Sequence, residues 1–140
     1  MEKSILIIDD DSDVRNTLKH VLECHDYKVY EASNGKEGIE SYRRINTDIV
    51  LTDIFMPEQD GLEAIREIKR EFPEAKIIAM SGIDKGKWDF LKIAGYLGAT
   101  DCIRKPFAPE DIIRMVESAL EGKAGEEITK IVSRVSDAIW

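Results

Sequence analysis

Apolar residues along this chain follow two alternating rhythms: short unbroken runs, and longer stretches in which they return every third or fourth position. The short runs predict five strands, at Ser4 to Ile8, Tyr27 to Glu31, Asp48 to Asp53, Ala75 to Met80 and Asp101 to Arg104. Between them the helical rhythm recurs. Val14, Leu18, Val21 and Leu22 follow Asp11 or Ser12 as N-cap, and Ile39, Tyr42 and Ile45 follow Ser33 or Asn34. Leu62, Ile65, Ile68 and Phe72 line one side of Gly61 to Phe72, which Pro73 closes. After a loop from Ser81 to Lys87, Leu91, Ala94 and Gly95 mark a helix from Trp88 to Leu97 that ends near Gly98. Ile112, Ile113, Val116 and Leu120 mark another, from Pro109 to about Glu121.

Strands that alternate with helices imply a parallel sheet, right-handed crossovers and helices on both faces. For five strands the order 2-1-3-4-5 gives a flavodoxin-like (βα)5 three-layer sandwich, whose crevice lies outside the carboxyl ends of the strands, where the order reverses between the first and third. The third strand, IVLTD, stops at Asp53, and the first runs into Asp9, Asp10 and Asp11. That strand order brings Asp9 and Asp10 toward Asp53.

Composition narrows the class. A chain of 140 residues, 43% apolar and 34% charged, is one globular domain with a short remainder. No apolar run reaches membrane-span length, and MEKSILIIDDD leads into acids instead of a cleavage region, so the expected location is the cytoplasm, away from membrane. Cys24 and Cys102 lack metal-ligand spacing and read as free thiols. A formal charge of -8 argues against nucleic acid as a direct partner.

Taken singly, Asp53 reads as a turn or helix cap, Lys105 as a surface lysine and Ser81 as a loop serine. Together they read differently. Carboxylates crowded at one sheet edge repel one another unless a cation sits among them, and hard oxygen donors that leave room for water and phosphate suit Mg2+. The same acids would repel a flavin phosphate at the first strand-helix turn. Ser81 closes the fourth strand and Lys105 follows the fifth, so a hydroxyl and a three-donor cation face the acids. Such a set suits the oxygens of a phosphoryl group in transfer, with a carboxylate as nucleophile forming an aspartyl phosphate.

At this point the chain resembles the receiver domain of two-component response regulators over residues 3 to about 121. The resemblance rests on IIDD at 7–10, TDIFMPEQDGLE at 52–63, SG at 81–82 and KPF at 105–107. It implies that Asp53 is the phosphoacceptor, charged by a sensor histidine kinase or a phosphotransfer protein. It also implies that Asp10, Asp53 and the backbone carbonyl of Phe55 hold Mg2+, with Asp9 assisting through water. Ser81 resembles the switch hydroxyl, Lys105 the cation of the site, and Lys105-Pro106 is expected to be cis.

On this reading phosphorylation adds charge beside Ser81 and Lys105, and two new charge-assisted hydrogen bonds at about 1.5–3 kcal/mol each shift the population toward an active arrangement. A downstream protein target reads the face formed by Trp88 to Leu97, Asp101 to Arg104 and the last helix. Cys102 departs from the family pattern, which has Tyr or Phe three residues before the lysine, so a smaller or differently placed rearrangement is expected. Gly82, often Ala in the family, leaves space beside the switch serine. Phe55 and Ile83 cannot hydrogen-bond an attacking water, which predicts slow loss of the phosphoryl group.

Residues 122–140 form a tail in which Ile128, Ile131, Val132, Val135 and Ile139 share one helical face. It is too short to be an output domain. Three expectations compete for it: an extra helix packed on the domain's own surface, a homodimer contact, and a linker. Two other functions compete with the receiver. A Mg2+-dependent phosphohydrolase using Asp53, of haloacid dehalogenase type, wants a second acid where Phe55 stands, and a phosphate-independent interaction module has no need of the full charged set.

Overall fold

The computed structural model describes residues 2–54, 56, 61–82 and 90–122. Its elements alternate as the rhythm predicts: β1 (Ser4–Ile8), α1 (Ser12–Cys24), β2 (Lys28–Ala32), α2 (Gly35–Ile45), β3 (Ile49–Asp53), α3 (Gly61–Glu71), β4 (Ile77–Ser81), α4 (Phe90–Tyr96), β5 (Asp101–Arg104) and α5 (Pro109–Leu120). The strands form one parallel sheet in the order β2-β1-β3-β4-β5. The expected flavodoxin-like sandwich is the fold.

Period-two alternation divides the core. Leu6, Ile8, Val50, Ile77 and Ala79 face one way and pack with Ile39, Tyr42, Ile65, Ile68 and Ala94 of α2, α3 and α4. Ile5, Ile7, Leu51, Ile78 and Met80 face the other way, onto Leu18 and Leu22 of α1 and Ile112 and Val116 of α5. β1, β3 and β4 are thus covered on both sides, which is why their sequences are unbroken apolar runs. Each large side chain buried in this way contributes about 1.5–3 kcal/mol.

Backbone bonds set the strand ends. Tyr27 N–H donates to the Leu22 carbonyl at 3.1 Å, closing the turn out of α1, so β2 starts at Lys28. Ala75 N–H is taken by the Phe72 carbonyl at 2.9 Å, so β4 starts at Ile77. It runs on to Ser81, which lies opposite Arg104. Asp11 is the N-cap of α1, accepting from Asp13 N–H and Val14 N–H, and Asn34 is that of α2, accepting from Glu37 N–H. Gly98, with φ of 110°, follows α4 where a stop was expected.

No described helix is long and apolar enough to cross a membrane. The tail reading falls on 123–140, and those on Phe55, Ile83 and the segment from Trp88 to the start of α4 likewise lie outside the described residues.

Candidate functional site

The register of β1 against β3 sets Ile8 beside Thr52, and the next residue of each strand is an aspartate. Parallel strands end on the same edge, so Asp9, Asp10 and Asp53 gather there, one ligand oxygen of each within 4.8 Å of the others. Asp9 is fully buried, Asp53 is buried at 7% exposure, and Asp10 is open to solvent. Two buried acids and one at the rim form a cleft that is wet on one side.

Lys105 enters from the far side of the sheet. β5 pairs with β4 so that Lys105 N–H donates to the Ser81 carbonyl at 2.7 Å, and the Lys105-Pro106 bond that follows is cis, as the resemblance implied. The side chain reaches back over the strand ends: Nζ lies 3.0 Å from Asp9 Oδ2 and 3.5 Å from Asp53 Oδ2. Burial alone would lower the ammonium pKa. The hydrogen bond to Asp9 and the charges of Asp53 and Asp9 together outweigh burial and hold it above the ordinary lysine value.

The turn carrying Asp9 and Asp10 is fastened at several points. Asp9 N–H donates to the Ala32 carbonyl at 3.1 Å, and Asp9 Oδ1 accepts from Asp11 N–H at 2.9 Å. Arg15, one turn into α1, donates from a guanidinium nitrogen to the Asp9 carbonyl at 2.6 Å while its Nε lies 3.5 Å from Glu31. Sequence reading missed Arg15. The available signal was its place one turn beyond the acids, on the helix that starts from them.

Four of the residues singled out from sequence therefore meet: Asp9, Asp10, Asp53 and Lys105. Ser81, also buried, ends the adjacent strand, and its backbone carries the bond that places Lys105. A Cβ at Gly82 would lie 3.4 Å from Lys105 Cδ, so the space beside the serine borders the aliphatic stem of the lysine. Cys102, opposite Ala79, is buried in the core at 1% exposure and fills space there. His20 and His25 are exposed, the first on α1 and the second capping its far end. Because α1 starts at the acidic edge and runs back along the sheet, its end lies away from Asp53.

Three carboxylates against one ammonium leave this cluster with excess negative charge, and the ligand atom each acid offers is a hard oxygen. That donor set fits a hard divalent cation and suits neither a soft metal nor an anionic cofactor.

Comparison with known proteins gives one family. The model described as "Response regulator receiver domain" matches residues 5–117. The chain is 41% identical over 114 residues to the chemotaxis protein CheY of Thermotoga maritima, covering 81% of this chain and 93% of that protein. It is 31% identical over 140 residues to the transcriptional regulatory protein SrrA of Staphylococcus aureus, covering 99% of this chain and 56% of that longer protein. Among solved structures, a response regulator receiver domain protein from Clostridium thermocellum superposes with a TM-score of 0.79 at 31% identity, over 85% of this chain and 94% of that one.

Proposed function

This chain belongs to the response regulator receiver domain family, and on that premise we propose that Asp53 is its phosphoacceptor and that residues 1–121 are the receiver unit. The observation that carries this reading is the convergence of Asp9, Asp10, Asp53 and Lys105 from three strand ends onto one cleft. An Asp53 carboxylate oxygen attacks phosphorus, the phosphorus–nitrogen bond of a donor phosphohistidine breaks, and its electron pair returns to the imidazole, which takes up a proton. The donor is a sensor histidine kinase or a phosphotransfer protein. Lys105, held as an ammonium between Asp9 and Asp53, stands where charge develops on the phosphoryl oxygens. Ser81 supplies a hydroxyl from the neighbouring strand end.

Asp10 and Asp53 would hold Mg2+ with the Phe55 carbonyl, Asp9 contributing through water. When bound, the ion neutralises the acids and the incoming phosphate oxygens. Asp9, Arg15 and Asp11 keep the ligand turn in place without it. The output is a shift in protein contacts and not turnover of a substrate, which fits the distance of both histidines from the cleft.

Incubation with acetyl phosphate and Mg2+, followed by intact-mass measurement, tests the proposal. We expect one phosphoryl group added, and its loss over hours, because Phe55 and Ile83 offer an attacking water no hydrogen bond and orienting that water is worth about 10² to 10⁴ in rate. Continuous release of phosphate without a stable adduct would favour a hydrolase, and no addition would leave an interaction module. Decay within seconds would remove the assigned role of Phe55 and Ile83.

A further inference from the structure

We propose that Arg15 is a positioning residue for the metal site: through the Asp9 carbonyl it fixes where Asp10 presents its carboxylate, and Glu31 of β2 holds Arg15 to that task. The inference rests on the reading that Asp10 and Asp53 hold Mg2+, and it adds a residue outside that ligand set. The three acids are held in different ways. Asp9 is fully buried and each of its polar groups has a partner: its N–H donates to the Ala32 carbonyl, its carbonyl accepts from Arg15, Oδ1 accepts from Asp11 N–H and Oδ2 from Lys105 Nζ. Asp53 is buried at the end of the central strand. Asp10 is exposed, and among the described residues its carboxylate makes no hydrogen bond or ion pair. Its place is therefore set by its main chain.

The Asp9 carbonyl and the Asp10 N–H belong to one planar peptide unit, so a bond that fixes the Asp9 oxygen also fixes the direction in which the chain enters Asp10. Arg15 makes that bond at 2.6 Å, short for an N–H···O contact and strengthened by the guanidinium charge. The same guanidinium lies with Nε 3.5 Å from Glu31 Oε1, and the Arg15 side chain is only 18% exposed. Both main-chain groups of Asp9 are thus anchored to the end of the edge strand β2, the N–H directly on Ala32 and the carbonyl through Arg15 on Glu31. A planar head with several donors can serve a carbonyl and a carboxylate at once, which a lysine ammonium does less well. Lys19 also reaches Glu31, at 3.6 Å, but it is 43% exposed and its other partner is Glu23, so it does not touch the acid turn. The sign of the effect separates position from charge. A guanidinium near a divalent cation repels it, so a role of charge alone would make Arg15→Met bind Mg2+ more tightly. A positioning role makes it bind more weakly.

The test is calorimetric titration of the full chain with Mg2+ at an ionic strength of about 0.15 M, where exposed charges are screened beyond about 8 Å. We expect Arg15→Met to raise the Mg2+ Kd about tenfold, the lower end for a residue that orients a metal ligand from outside the ligand set. Glu31→Gln should raise it by a smaller factor and add nothing in the Arg15→Met background, because the two act through one bond. Lys19→Met should leave it unchanged, and far-UV circular dichroism should match the parent in every variant. Phosphoryl uptake from acetyl phosphate by Arg15→Met should be slow at limiting Mg2+ and return to the parent rate at saturation. An unchanged or lower Kd in Arg15→Met, even beside a lower urea midpoint, would overturn the inference. So would a Lys19→Met that weakens Mg2+ as much, or uptake that stays slow at saturating Mg2+. Asp10→Asn separates this inference from the ligand assignment beneath it: if that variant binds Mg2+ as the parent does, the ligand set is wrong and the role of Arg15 falls with it, and if binding is lost, the ligand set stands and the Arg15 result decides alone.

Discussion

Asp53→Asn is expected to abolish phosphoryl uptake from acetyl phosphate and, at the same time, to raise the melting temperature of the metal-free protein. The two effects share one cause. Asp53 lies within 4.8 Å of two other carboxylates and 3.5 Å from one ammonium. At an effective dielectric of about 20 the two repulsions together outweigh the attraction of Lys105, and with Asp10 screened by solvent the excess is about 1 kcal/mol. Removing one charge gives that back, about 3 °C for a domain of this size. Lys105→Met should do the reverse. The buried Asp9 carboxylate would lose the ammonium bonded to it, at a cost of about 3 kcal/mol, the lower end for buried pairs because Lys105 keeps 23% exposure. Added Mg2+ should then raise the melting temperature of Lys105→Met more than that of the parent, and that of Asp53→Asn least, since ligand stabilisation follows affinity for the acidic cluster. Thermal denaturation of the three proteins with and without Mg2+ checks the order. A destabilised Asp53→Asn would mean that the cluster is not under net repulsion.

The parts of this molecule legible in its sequence are those in which one physical rule acts alone. β1, β3 and β4 are buried on both faces, so their apolar runs had one reading, and acids directly after two such runs had to meet once the strand order was fixed. Element ends were less legible because single backbone bonds decide them, as Tyr27 N–H does at the start of β2. The cation of the site was found but not its preference. Lys105 lies nearer to Asp9 than to Asp53, which depends on how far a four-carbon stem reaches over two strands. Arg15 was missed for a related reason. Its contact is with a main-chain carbonyl, and a backbone acceptor leaves no mark in the choice of residue at its own position.

Gly61 shows how a residue can be read for its helix and matter for its space. By helix propensity alone Gly61→Ala should stabilise α3 by up to about 1 kcal/mol. We expect the opposite, a loss of about 3 kcal/mol or more. Gly61 N–H donates to the Ile54 carbonyl at 2.9 Å, drawing the start of α3 directly onto the end of β3. A Cβ built there would fall 1.9 Å from the Asp53 carbonyl oxygen and 2.8 Å from Ile54 Cα, both main-chain atoms that cannot rotate away. Gly38 provides the contrast. Its Cβ would crowd Ile8 Cδ1, with Cγ1 at 2.7 Å and Cγ2 at 3.2 Å, but these are atoms of one side chain and not of the main chain, so Gly38→Ala should cost less, about 1–2 kcal/mol. Urea denaturation should show both as lower midpoints at unchanged slope, with Gly61→Ala the lower. Because the atom it displaces belongs to Asp53, Gly61→Ala should also slow phosphoryl uptake in the fraction that remains folded, whereas Gly38→Ala should leave uptake unchanged. Equal stability losses with normal uptake in both would show that the start of α3 can move without carrying the end of β3, and that the position of Asp53 does not depend on the helix packed over it.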